Sequence, residues 1–146
     1  MNRSRPQAIK GIQDFDLGKP LDVKTAVEAL RKDTKIYFTF CARMEVCHLN
    51  AHMQEITTGY NTKDWKKVHR SARKLKDASA IIGAGYLYYA CYFICEASNN
   101  RDLEGLEQHY PFLIEAVIEF KRYSRRFLAE YKSKFIALIH YISFLG

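Results

Sequence analysis

Residues 72–84, Ala72-Arg73-Lys74-Leu75-Lys76-Asp77-Ala78-Ser79-Ala80-Ile81-Ile82-Gly83-Ala84, decide how the chain is read. Ala72, Leu75, Ser79 and Ile82 fall at three- and four-residue steps, the spacing of one helix face, and Trp65 and Val68 extend that stripe backwards. Asn61 or Thr62 is expected to open this helix. His69, Arg73, Lys76 and Ala80 then share a neighbouring face. Gly83 and Gly85 let the helix bend or end, because glycine enters left-handed backbone without steric penalty. The next helix buries Ala84, Leu87, Cys91, Ile94 and Ala97, and Ser98-Asn99-Asn100 closes it.

The same spacing orders the flanks. Asp22 caps a short helix from Val23 to about Lys32, with Val23, Val27 and Leu30 on one face. A longer helix from Thr34 to about Thr57 presents Tyr37, Phe40, Cys41, Met44, Cys47, His48 and Ala51 as its inner stripe, and Gly59 is expected to stop it. A last long helix from Asp102 carries Leu106, Tyr110, Leu113, Val117, Phe120 and Phe127, with Pro111 expected to start it late or kink it. The expected fold is all-α, an antiparallel four-helix bundle with a short additional N-terminal helix. Residues 1–21 read as a basic N-terminal arm, 22–131 as the bundle and 132–146 as an apolar C-terminal extension. That extension is too short to cross a bilayer, which takes about 20 residues, so it either folds back on the bundle or docks on a partner.

The motif resembles that of histidine phosphotransfer domains. In that family a helix carries His, then x-x-Lys-Gly, a small residue, Ser and finally Gly-Ala. Lys76, Ser79, Gly83 and Ala84 hold these places, Arg73 stands where the phosphorylated imidazole belongs, and Asp77 replaces the family's glycine. The resemblance spans about 22–131 and implies the family's bundle with its reaction lost. A guanidinium is protonated at physiological pH and is no nucleophile, and a carboxylate one turn along adds bulk and repulsion. The resemblance therefore implies a protein that is not an enzyme, has no catalytic residue and needs no cofactor. Its Arg73 enters the carboxylate pocket of a receiver domain and blocks a phosphorelay. The alternative is an active phosphotransfer protein using His69, which precedes Arg73 by one turn among Lys66, Arg70, Arg73 and Lys76.

Composition narrows the partner. The chain has 146 residues, 48% of them hydrophobic, enough for one domain with a real core. Its net charge of +7 is concentrated in Lys63, Lys66, Lys67, Arg70, Arg73, Lys74 and Lys76 and in Lys121, Arg122, Arg125, Arg126, Lys132 and Lys134. An acidic protein surface fits, either a receiver domain or a cytoskeletal or large-assembly subunit such as tubulin, held by Lys63, Lys66, Lys67, Arg70 and Lys74. No nucleic-acid motif accompanies the charge, so no nucleic acid is expected. Cys41, Cys47, His48 and His52 invite a zinc reading, but Cys41 and Cys47 lie nearly opposite on a helix, so no metal is expected. Cys91 and Cys95 read as small core residues of a reducing compartment. With no apolar leader and no spanning run, a cytoplasmic protein is expected, within a cytoskeletal or other large assembly. The reading as a whole is a non-catalytic protein-binding module, a structural or scaffold subunit or an inhibitory docking partner.

Overall fold

The structure, a computed structural model, describes residues 15–16 and 19–145, with side chains through residue 130. The described secondary structure is all helical: α1 (Val23–Ala29), α2 (Thr34–Arg43), a π turn (Met44–His48), α3 (Leu49–Asn61), α4 (Trp65–Ile82), α5 (Gly85–Asn99) and α6 (Leu103–Leu145). Most of the expected N-terminal arm, and the side chains of the expected C-terminal extension, lie outside the described residues. No helix among the described residues is long and apolar enough to cross a membrane.

α1, α2, α4 and α6 start where an aspartate satisfies the first free N–H groups. Asp22 accepts from Thr25 N–H at 3.2 Å, Asp33 from Ile36 N–H at 3.1 Å, Asp64 from Lys67 N–H at 3.1 Å and Asp102 from Gly105 N–H at 2.9 Å. Each such cap is worth about 1 kcal/mol. α4 therefore opens after Asp64, not at Asn61 or Thr62 as expected. The residues before Asp64 belong to α3, which runs past Gly59 to Asn61. Gly59 is no stop: a Cβ there would lie 2.9 Å from Val68 Cγ2, so the glycine lets α3 and α4 approach closely. The break comes at Lys63, in left-handed backbone with φ 57°.

The long second helix is interrupted in register. At the π turn Leu49 N–H donates to the carbonyl of Met44, and one extra residue enters the turn. Tyr37, Cys41 and Met44 are buried before it and Leu49, Ile56 and Gly59 after it, whereas Cys47, His48 and Ala51, expected inside, are exposed. The inserted residue advances the stripe from position 48 to position 49. On the outer side, Glu45 in this turn accepts from Ser124 Oγ at 2.7 Å and from Arg125 Nε at 3.1 Å, which ties the turn to α6.

α5 is the central helix, buried along most of its length, with α4 on one side and α6 on the other. Its Leu87, Ala90, Cys91 and Ile94 are at most 1% exposed. Burying a side chain such as Leu87 or Ile94 contributes about 1.5–3 kcal/mol. α6 begins at Leu103 and continues through Pro111, so the proline does not delay it. Pro111 and Glu107 are both exposed, so the carbonyl that loses its intrahelical donor stands on the outer side of the helix. At 43 residues α6 is about 65 Å long. Phe15 and Leu21 are buried, and Asp22 N–H donates to Gly83 O at 2.8 Å, so the segment before α1 is pinned over the end of α4.

Candidate functional site

The residues of the motif are sorted by α4 into a buried framework and an exposed face. Ala72, Leu75, Ser79 and Ile82 are buried, as is Ser71, and Trp65 is half-buried. Ser79 Oγ donates to Leu75 O at 2.7 Å within its own helix, so its hydroxyl is occupied by packing. Gly83 caps the helix at φ 78°, and a Cβ there would lie 2.5 Å from Asp22 O, so conformation and space both require glycine. Ala84 is fully buried beneath that turn.

Arg73 and Asp77 are exposed one turn apart, with Lys66 and Arg70 preceding them on the same outward line. Among the described residues, none of Lys63, Lys66, Arg70 and Arg73 has a carboxylate within ion-pair distance. The remaining basic residues of the expected face diverge. Lys67 and Lys74 lie towards α3, close enough to Glu55 to help hold its carboxyl below the usual range, although the main cause is the hydrogen bond it accepts from Ser71 Oγ. Lys76 lies towards α5, where burial pushes the Cys95 thiol up to about 11 against the opposing field of Lys76. Lys63 is not on α4 at all; it sits in the turn before it.

His69 is half-buried and faces α5. Its Nδ1 is 3.2 Å from Cys95 O. A carbonyl only accepts, so the hydrogen bond places the proton on Nδ1 and the lone pair on Nε2.

The residues of the zinc reading do not converge. Cys41 is buried, with its thiol pushed up to about 12 by burial, while Cys47 is exposed. His48 and His52 stack with ring centroids 6.1 Å apart. Among the described residues no three His, Cys, Asp or Glu side chains come together as metal ligands. Burial also drives the Cys91 thiol well above the ordinary range, so Cys41, Cys91 and Cys95 are all held protonated and unreactive.

Arg101, in the turn between α5 and α6, was not among the expected residues, yet it stands beside Lys63, Lys66 and His69 around one pocket. The sequence carries a signal for it. Asn61-Thr62-Lys63-Asp64 and Asn99-Asn100-Arg101-Asp102 repeat the order Asn, polar, cation, Asp. No family model, curated protein or solved structure significantly matches the chain.

Proposed function

We propose that the protein is a non-catalytic binding module of the histidine phosphotransfer type. In this reading α3 to α6 form an antiparallel four-helix bundle, α1 and α2 extend one end of it, and the outer line of α4 docks on an acidic protein surface. The observation that carries it is the exposed sequence Lys66, Arg70, Arg73 and Asp77 on α4, whose Ser79 is buried and which ends in the buried turn Gly83-Ala84. Of the four kept residues, Ser79, Gly83 and Ala84 are those that packing demands, Lys76 is half-buried beside α5, and the two changed ones are those a partner would touch. A cation at Arg73 complements the carboxylates of a receiver pocket or the acidic face of an assembly subunit such as tubulin.

The test uses phosphorylated receiver domains and tubulin as two probes. No acid-labile phosphate is expected on the protein after incubation with the receivers. Binding to at least one probe is expected, weakening with salt and with Lys66→Glu and Arg70→Glu. Arg73→His together with Asp77→Gly is expected to restore some phosphate acceptance. Failure of both probes to bind would refute this docking assignment.

One observation favours a second reading, an active acceptor at His69. The Cys95 carbonyl holds the Nδ1 proton, which leaves Nε2 as the nucleophilic nitrogen. Labelling of the unaltered protein that His69→Ala abolishes would establish that reading and overturn the first.

A further inference from the structure

The turn between α3 and α4 and the turn between α5 and α6 are built alike. Lys63 and Arg101 adopt left-handed backbone with φ 57° and 53°, the place where a helix-ending turn usually carries glycine. Asp64 N–H then closes its turn on Gly59 O at 2.8 Å, and Asp102 N–H closes the other on Ala97 O at 2.8 Å. Both turns thus accept a long cationic side chain where glycine would be free of strain. The two cations meet across one open pocket of about 440 Å³, lined also by Lys66, His69, Trp65 and Asn99.

Two of the lining residues, His69 and Ser98, are held by one carbonyl. His69 Nδ1 on α4 donates to Cys95 O on α5 at 3.2 Å, which ties the two helices, and within α5 the same carbonyl accepts from Ser98 Oγ at 3.0 Å. Asp64 is on the rim, with Oδ1 committed to capping Lys67 N–H. Two helices begin at this end and two finish, so their dipoles largely offset and the side chains set the local field. Lys63, Lys66 and Arg101 outnumber the one lining carboxylate, Asp64, and leave that field positive.

We propose that this pocket binds a small molecule carrying two or more phosphate groups. Three cations around one opening match a dianion or trianion, and the forked guanidinium of Arg101 suits phosphate oxygens. The volume lies within the range of small-ligand sites and exceeds what a lone phosphate fills, while Trp65 supplies a flat wall. The pocket shares Lys66 with the docking face, but Arg70, Arg73 and Asp77 of that face do not line it and Arg101 lies outside that face, so the two sites can be told apart.

Trp65 is the only tryptophan, so emission from the full chain reports on this pocket directly. Pyrophosphate is expected to change that emission saturably, orthophosphate about tenfold more weakly, and chloride at equal ionic strength not at all. In the double variant Lys63→Gly with Arg101→Gly, both cations are lost while glycine takes the left-handed positions. Its thermal midpoint is expected to hold or rise, and its pyrophosphate affinity to fall at least about tenfold. Lys66→Gln, on the exposed face of α4, gives an independent weakening, and Arg73→Ala, outside the pocket, is expected to leave binding unchanged. No saturable response to pyrophosphate up to about 10 mM would overturn the proposal. So would undiminished binding in the double variant, or a loss in Arg73→Ala as large as in the double variant.

Discussion

Replacing Gly83 with alanine is the sharpest probe of how the motif is held. Gly83 has φ 78°, where an L side chain costs about 1–2 kcal/mol. The added Cβ would also lie 2.5 Å from Asp22 O, 3.1 Å from Asp22 C and 3.2 Å from Ala26 Cβ. The first two are backbone atoms, so no side chain can swing aside; the segment before α1 must move. Movement strains the 2.8 Å bond from Asp22 N–H to Gly83 O, and losing such a bond in a buried setting costs about 1–3 kcal/mol. The sum is about 2–5 kcal/mol, set against a total stability of about 5–15 kcal/mol for a domain of this kind. The variant is expected to fold but to melt about 10 °C lower. Urea titration followed by far-ultraviolet circular dichroism measures the difference, and Lys63→Gly, the reverse exchange at a left-handed position, is expected to be neutral or stabilising in the same assay. A Gly83→Ala variant within about 0.5 kcal/mol of the unaltered protein would refute the argument that this turn clamps the chain before α1 onto α4.

Tyr37→Phe removes the hydroxyl that donates to Ile82 O at 2.9 Å and leaves that carbonyl without this donor, so a loss of about 1–2 kcal/mol is expected by denaturant titration. Arg73→His with Asp77→Gly changes only exposed positions; glycine in mid-helix costs about 1 kcal/mol, and a thermal scan is expected to show no larger loss. Acidification is expected to destabilise the fold in two steps, read from urea midpoints across a pH series. Burial lowers the His52 pKa below its ordinary 6.5, so the unfolded chain binds that proton more readily and stability falls as pH drops below about 6.5; His52→Gln is expected to flatten this limb. Burial raises the Asp22 carboxyl, but bonds from Asp16 and Thr25 outweigh it and leave the pKa below 3.8, so its contribution is present above that pH and is lost as pH falls through the lower folded value.

Periodicity alone located α4 and α5, because a three- and four-residue repeat fixes which side chains share a face whatever the helix packs against. Val68, Ala72, Leu75, Ser79 and Ile82, and then Ala84, Leu87, Cys91, Ile94 and Ala97, are all buried as that repeat requires. The glycine at position 83 was legible as a turn for the same local reason. Beyond one helix the repeat carries no information. Nothing in residues 34–57 marks the π turn, since its extra residue is accommodated by packing against α6 through Glu45, Ser124 and Arg125, and the stripe past Met44 is therefore displaced by one position. The basic residues of α4 formed one cluster in the sequence. The structure divides them, Lys67 and Lys74 towards α3, Lys76 and His69 towards α5, and Lys66, Arg70 and Arg73 outwards, because only the neighbouring helices determine which directions are solvent. The meeting of Lys63 with Arg101 is tertiary in the fullest sense. Their turns are far apart along the chain, and they become neighbours only because α4 and α5 lie side by side, which brings the start of one to the end of the other.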